Sequence, residues 1–271
     1  MGYGTFSRLL LGFVAMSCLA RAGCRPSELF DRAPKASVDF ARVLEKAEAG
    51  DPNAQFQAGL AYETGSGTPR DYAEAADWYH RAADRGNPGA QNNLGGLYSR
   101  GIGVPQDDAE AMKWYLRAAS EGYPAAENNV GFMYANGRSV AQDNELALSW
   151  YRRAAVHEYP AAENNLGFMY ANGRGVSADS KEAAKWYRKA AKHSYAPAEF
   201  NLGLFYSRVP QGLKEAAKWF HLAAEHGFAQ AAEALRSLES HSLSVDDLNA
   251  EISRSFPTSM ATSETPANPS K

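Results

Sequence analysis

The chain contains NNLGFMYANGRGV at residues 164–176 and, 36 positions earlier, the near copy NNVGFMYANGRSV at residues 128–140. The same spacing separates four of its five tryptophans, and the last follows after 33 residues: Trp78, Trp114, Trp150, Trp186 and Trp219. A fixed period of this length is typical of a solenoid, in which each unit packs only on its neighbours. We therefore expect a stack of similar units.

The period divides residues 51–238 into repeated units. Four units of equal length are followed by a fifth that is three residues shorter, and residues 228–238 repeat only the opening of a sixth: 51–86, 87–122, 123–158, 159–194 and 195–227. We interpret residues 228–238 as a helix that caps the stack.

Each unit has the signals of two antiparallel helices. Proline stands where the first helix opens, as at Pro88, and a glycine-rich corner such as 101–103 ends it. The second helix starts at an aspartate such as Asp107, with Glu110 three residues later, which is a capping box. Every first helix also contains an interior glycine, which costs about 1 kcal/mol relative to alanine. These glycines predict a close crossing of the two helices: Gly59, Gly95, Gly131, Gly167 and Gly203.

Over residues 51–227 this pattern resembles the Sel1-like repeat family, an all-helical relative of the tetratricopeptide repeat. The resemblance implies an all-α protein, a right-handed α-solenoid of helix-turn-helix repeats. It departs from the pattern at Ser139, Glu158 and Ser194, which replace glycines, and in the fifth unit, which lacks the corner. These departures leave the curvature between units open.

The ends of the chain differ in composition from the repeats. Residues 1–22 have the features of a signal peptide, with Arg8, an apolar run at 9–20 and a small-x-small site at 20–22. Alternatives are a lipoprotein-type anchor at Cys18 or Cys24, and an unprocessed chain. We expect a linker at 23–36, a capping helix at 37–50, and a tail at 239–271 that is disordered except for a possible short helix at 244–254. The first reading predicts export to the periplasm or the cell surface.

Charge and cysteine content exclude several functions. The net charge is −3, and it would become −5 if Arg8 and Arg21 were removed with the signal. A mildly acidic chain without a basic run is a poor candidate for binding nucleic acid. Both cysteines precede the repeats, so neither a disulfide nor a thiolate zinc site is expected there. We expect no metal and no cofactor.

One residue before the core leucine or valine, most first helices carry an asparagine: Asn93, Asn129, Asn165 and Asn201. In tetratricopeptide arrays the position that this resembles lies on the concave face, where an amide can donate to and accept from an extended peptide. The alternative is that these amides satisfy polar groups between adjacent first helices. Peptide binding and the structural role both remain open at this point.

Two further rows adjoin these asparagines. One holds Asn92, Asn128 and Asn164, with Phe56 and Phe200 at its ends, and the other holds Phe132 and Phe168. By helical spacing we expect both rows to point toward the concave groove, where the two phenylalanines could anchor a partner. The alternative is that the phenylalanines pack on the next first helix.

Histidines and glutamates also recur by position. His157, His193 and His226 end second helices, and Glu127, Glu163 and Glu199 lie in first helices. With successive units ~16–20 Å apart, being two helices of ~8–10 Å each, no three of either set can share a metal ion or form an acid/base pair. We expect solvated histidines, with weak pH sensing as the alternative.

The resemblance to the Sel1-like family implies a non-catalytic scaffold that binds a protein or an extended peptide in its groove. Its role in the cell envelope would be regulation, recruitment of cell-wall partners or interaction with a host. The alternative is a hydrolase of the β-lactamase or penicillin-binding kind, which has been attributed to cysteine-rich relatives. This chain lacks their cysteine framework and shows no G-x-S-x-G or H-E-x-x-H motif.

Overall fold

The structure is a computed structural model that describes residues 38–209 and 211–239. This part of the chain contains twelve helices and no strand, so the all-α prediction is confirmed. The expected signal peptide, the linker and the tail helix at 244–254 lie outside the described residues.

The helices follow one another as a cap, five pairs and a second cap. Helix α1 is Val38–Glu48 and α12 is Ala229–Glu239. The first helices of the five repeats are α2 Pro52–Thr64, α4 Pro88–Arg100, α6 Pro124–Asn136, α8 Pro160–Asn172 and α10 Ala196–Ser207. The second helices are α3 Tyr72–Asp84, α5 Asp108–Ser120, α7 Asn144–Val156, α9 Ser180–Ala191 and α11 Leu213–Glu225.

Local hydrogen bonds begin and end these helices where the sequence signals stand. The Asp107 carboxylate accepts from the backbone N–H groups of Ala109 and Glu110 and so caps α5. Gly101 ends α4 with φ at 66°, in the left-handed region that glycine occupies without steric cost. The same two devices begin α3 and α9 and end α2, α6 and α8.

The departures from the repeat pattern do not change the backbone. Ser139, Glu158 and Ser194 keep positive φ angles of 56°, 53° and 55°, in the same left-handed region as the glycines they replace. The turn is therefore preserved, and the side chain carries the cost of an unfavourable conformation.

The two helices of each repeat cross closely at the interior glycine. A Cβ atom on Gly131 would stand 2.8 Å from two ring carbons of Tyr151 in α7 and 3.2 Å from the Ala147 carbonyl oxygen. In every other repeat the ring of Tyr79, Tyr115, Tyr187 or Phe220 occupies the same place, 2.4–2.8 Å from the equivalent added Cβ. The predicted close crossing is confirmed, and an aromatic ring fills the space that a side chain would need.

Successive repeats share their cores, which makes the fold a solenoid. One buried cluster joins Ala75 and Tyr79 of α3, Leu94 and Leu97 of α4, and Trp114 of α5. At the ends, α1 packs on α2 and α12 packs on α11. In the described residues no helix is long and apolar enough to cross a bilayer.

Candidate functional site

The candidate site is built on the outward face of the first helices. Positions 3, 7, 10 and 14 of each repeat are spaced by four, three and four residues, so they share one face of the helix. We call these positions the first-helix stripe. It consists of Asn53, Gln57, Leu60 and Thr64; Gly89, Asn93, Gly96 and Arg100; Ala125, Asn129, Phe132 and Asn136; Ala161, Asn165, Phe168 and Asn172; and Pro197, Asn201, Leu204 and Arg208.

Amide pairs hold neighbouring first helices side by side. Asn129 donates from Nδ2 to Oδ1 of Asn92 at 2.9 Å, and the equivalent bonds repeat at each following junction. Asn165 donates to Asn128 at 2.9 Å, and Asn201 donates to Asn164 at 2.8 Å. The expected spacing of ~16–20 Å between units is therefore wrong for the first helices, because direct side-chain bonds require adjacent helices at ~8–10 Å.

Burial separates the two asparagine rows. Asn92, Asn128 and Asn164 are only 3%, 1% and 6% exposed, so the prediction that their row points into open space is wrong. They are buried because each amide oxygen accepts from the next repeat, and a buried amide must find such a partner. In the other row Asn165 is buried, whereas Asn93, Asn129 and Asn201 are half-buried. Contact between these amides and a ligand remains a prediction.

The amide series begins differently in the first repeats. Asn93 donates to the Tyr79 hydroxyl at 3.2 Å, and this hydroxyl donates to the Glu63 carboxylate. Burial and the neighbouring Glu63 both raise the pKa of Tyr79 far above its ordinary value. The phenol therefore stays protonated and serves as a permanent donor.

The two phenylalanines of the stripe are the partly exposed aromatic groups of this surface. Phe132 and Phe168 are half-buried, and both contact the core formed around Tyr151 and Leu166. One side of each ring thus packs within the solenoid, as the alternative interpretation has it, and the remaining surface is open. In the second repeat the equivalent residue is Gly96, and an added Cβ there would meet nothing closer than Arg100 Nη2 at 3.6 Å. The aromatic row therefore stops at a notch.

Arginines follow the edge of the stripe near the buried tyrosine hydroxyls. Burial raises the pKa of Tyr115 to about 12, and the positive charges of Arg100 and Arg138 partly oppose that rise. Arg138 forms an ion pair with Asp108 and donates to the Ser99 carbonyl of the preceding repeat at 2.8 Å. Arg174 reaches back in the same way and donates to the Ala135 carbonyl at 2.6 Å. In these two repeats, then, an arginine crosses from one first-helix corner to the previous one.

A second set of polar groups lies where each first helix meets the end of a second helix. Glu127, Glu163 and Glu199 are buried, at 2%, 2% and 0% exposure. Arg153 donates from Nε to Glu127 at 3.0 Å, and His226 Nδ1 lies 2.8 Å from Glu199 Oε2. Sequence reasoning placed the glutamate and histidine rows apart and missed that the fold brings them together in the fifth repeat.

Glu163 differs from its two equivalents. Its Oε2 is buried without a hydrogen-bond partner in the described structure. Burial raises the pKa of this carboxyl above its ordinary value, while His193 and Lys189 oppose the rise. In the first two repeats glutamine takes the position, and Gln55 and Gln91 each donate to a carbonyl at the end of the preceding helix at 3.1 Å. The position lies directly after a buried alanine, which is the sequence signal that could have predicted its burial.

The chain matches a known repeat family over most of its described length. The family model of the Sel1 repeat matches residues 52–87, 88–123, 124–155, 160–195 and 196–228. No curated protein matches the chain.

Solved structures of similar proteins have the same architecture. The chain is 34% identical to a Sel1 repeat protein from Oxalobacter formigenes, covering 76% of this chain and 86% of that one, with a TM-score of 0.66. It is 29% identical to c5321, a protective antigen of uropathogenic Escherichia coli with an SLR fold, at a TM-score of 0.61. The match covers 75% of this chain but only 44% of the antigen. The immunity protein PA5088 from Pseudomonas aeruginosa, 23% identical over 73% of this chain and 74% of its own, shares the fold at a TM-score of 0.52.

Proposed function

The chain belongs to the Sel1 repeat family, and from that premise we propose that it is a non-catalytic interaction scaffold. In this proposal a protein or an extended peptide binds along the first-helix stripe. Sel1 repeats typically mediate contacts between proteins, and the family match extends over five consecutive units. The partner would thus meet several repeats at once.

The observation that carries the proposal is the pair of half-exposed phenylalanines, Phe132 and Phe168, at one position of neighbouring repeats. Aromatic side chains dominate the energetic centres of protein interfaces, since they bury a large apolar area with little loss of conformational freedom. Their rings are fixed on one side by contact with the core around Tyr151. A partner would therefore meet a pre-organised apolar surface.

The half-buried amides Asn93, Asn129 and Asn201 are secondary contacts in this proposal. Each belongs to the stripe and lies one turn before the position that holds the phenylalanines. An amide offers both donor and acceptor groups to a peptide backbone. The deeply buried row of Asn92, Asn128 and Asn164 positions the helices and is not assigned to the ligand.

Site-specific photocrosslinking tests the proposal in cells. A photoreactive phenylalanine analogue introduced at position 132 or 168 should crosslink to a defined partner. The matched control is position 156, where Val156 is 78% exposed on a second helix. Equal crosslinking from positions 132, 168 and 156, or none from the two stripe positions, would overturn the assignment.

The absence of catalysis is a separate part of the proposal and has its own assay. The purified protein should hydrolyse the chromogenic cephalosporin nitrocefin no faster than buffer does. Turnover above that background, abolished by a single serine substitution, would instead establish a β-lactamase-type hydrolase.

We also propose that the scaffold acts after export, in the periplasm or on the cell surface. The support is the sequence of residues 1–22, with Arg8 ahead of an apolar run and a small-x-small site. Mass spectrometry of the chain isolated from its native cell provides the test. A soluble form that begins at residue 23 fits cleavage, and a lipid on Cys18 or Cys24 fits an anchored form. An intact chain in the cytoplasm would refute export.

A further inference from the structure

The first-helix stripe has an uneven charge. Across all five repeats it contains two arginines, Arg100 and Arg208, and no acidic residue, although the chain as a whole has a net charge of −3. Both arginines are exposed. They stand at the same repeat position in the second and fifth units, on either side of the units that carry Phe132 and Phe168.

A third arginine adds positive charge between them. Arg174 donates to the backbone of Ala135, so its guanidinium lies beside the neighbouring stripe residue Asn136 in the helix of Phe132. Among the described residues no carboxylate lies within ion-pair distance of Arg174. The hydrogen bond uses one of the five guanidinium N–H groups and fixes the orientation of the side chain.

Nearby carboxylates cancel only part of this charge. Arg138 pairs with Asp108 through two oxygens and contributes no net charge. Arg100 lies 3.9 Å from Glu63, at the limit of an ion pair, and that carboxylate already accepts from the Tyr79 hydroxyl. The stripe and its edge therefore carry four arginines against two carboxylates.

We propose that the ligand of the first-helix stripe is an extended peptide of net negative charge. Its acidic side chains would meet Arg100, Arg174 and Arg208, and apolar side chains between them would cover Phe132 and Phe168. The inference rests on the proposed function, because it specifies the chemistry of the partner for that same surface. Arginine suits this role, since its planar fork binds a carboxylate through two parallel hydrogen bonds.

The dimensions of the stripe set the length of the peptide. Neighbouring first helices lie ~8–10 Å apart, and an extended chain rises about 3.3 Å per residue, so each repeat spans about three residues. Three such steps separate the repeat of Arg100 from that of Arg208, which corresponds to about nine residues.

The notch at Gly96 admits one of the acidic side chains. The nearest atoms to an added Cβ there are Arg100 Nη2 at 3.6 Å and the Tyr115 hydroxyl at 3.8 Å. Both groups can donate a hydrogen bond, so a carboxylate entering the notch would meet two donors. A phenylalanine at this position, as in the next two repeats, would fill the space.

Selection from a random dodecapeptide display library tests the charge of the ligand without presupposing its sequence. Purified protein carrying residues 38–271 of its repeats and tail serves as bait, beside the double variant Phe132→Ala/Phe168→Ala. The enriched pool should carry a net negative charge and apolar central residues, and its binding should weaken at least tenfold between 50 mM and 500 mM salt.

Charge variants make the result specific to the stripe. The double variant Arg100→Glu/Arg208→Glu should enrich basic peptides instead, and Arg100→Gln/Arg208→Gln should lose the acidic preference without adding negative charge. Lys218→Glu is the control, because this lysine is 75% exposed on the outer face of α11. It should leave the acidic preference unchanged.

The outcomes separate the inference from the function on which it rests. A neutral or basic pool that needs Phe132 and Phe168 would overturn the acidic ligand and leave the scaffold function intact. No enrichment over the double alanine variant would overturn both. An acidic pool that Arg100→Gln/Arg208→Gln still enriches equally would refute the role of these arginines. Thermal unfolding of each variant verifies that it remains folded.

Discussion

Two consecutive glycines of α4, Gly95 and Gly96, should respond to alanine with opposite signs. Gly95 lies at the crossing with α5, where an added Cβ would stand 2.8 Å from two ring carbons of Tyr115 and 3.1 Å from the Ala111 carbonyl oxygen. The Cβ added at Gly96 would meet nothing closer than 3.6 Å. The chemical change is identical, and only the surroundings differ.

The magnitudes follow from two terms. Replacing glycine by alanine inside a helix stabilises it by about 0.5–1 kcal/mol, because the unfolded chain loses freedom. At Gly96 this term acts alone, so Gly96→Ala should stabilise the protein by that amount. At Gly95 the ring and a backbone carbonyl must move, which costs about 1–3 kcal/mol as overpacking. Gly95→Ala should therefore destabilise the protein or at best leave it unchanged.

Thermal unfolding followed by circular dichroism measures the difference between the two variants. The helix term cancels between them, so the gap equals the overpacking cost of about 1–3 kcal/mol. For a chain of this size about 2–4 °C in Tm corresponds to each kcal/mol, which predicts a gap of roughly 2–12 °C.

The reasoning fails if Gly95→Ala raises the Tm as much as Gly96→Ala does. That result would mean that the helices separate without cost and that Tyr115 does not fix the crossing. Gly131→Leu extends the same test, since a larger side chain at an equivalent crossing should destabilise by several kcal/mol.

Three more predictions concern buried polar groups and use chemical denaturation. Glu163→Gln should stabilise by about 1 kcal/mol at pH 7, because an amide restores the bond made in the first two repeats; since burial raises the pKa of Glu163 above its unfolded value, wild-type stability falls as pH rises through the raised pKa, and the gain should vanish below about pH 4. His226→Ala strands the buried Glu199 carboxylate and should cost about 1–3 kcal/mol, whereas the exposed His157→Ala should change stability by less than about 0.5 kcal/mol; equal effects would contradict the pairing. Asn128→Ala removes the acceptor of a buried amide and should cost about 1–3 kcal/mol, and an unchanged unfolding free energy would show that the amide pairs are dispensable.

Most of the fold could be predicted from the sequence because it depends on local signals that recur. Asp107 and Pro88 mark the starts of helices, and Gly101 marks an end, through backbone geometry that needs no distant contact. The crossing at Gly131 was predictable for the same reason, since an interior glycine that returns in every repeat needs a compensating contact.

The candidate site was less predictable because it depends on distances between repeats. The expected spacing of ~16–20 Å assumed that a second helix separates successive first helices, whereas Asn129 bonds directly to Asn92. Likewise, nothing in the spacing of Glu199 and His226 shows that the end of a second helix returns to the opening of its own first helix. Such contacts depend on the angle between helices, which local patterns do not determine.

The repeats themselves indicate which positions are structural and which are available for binding. The asparagine position of the stripe is almost invariant from repeat to repeat, and its amides pair across every junction from the second repeat onward, so its regularity has a structural cause. The tenth and fourteenth positions are partly or fully exposed, and they vary: Leu60, Gly96, Phe132, Phe168 and Leu204, then Thr64, Arg100, Asn136, Asn172 and Arg208. A residue that must contact the next copy of its own repeat is constrained to recur, whereas a residue that contacts a non-repeating partner is not. Specificity should therefore reside in the variable exposed positions, and this is why the acidic-ligand experiment changes Arg100 and Arg208 rather than the asparagines.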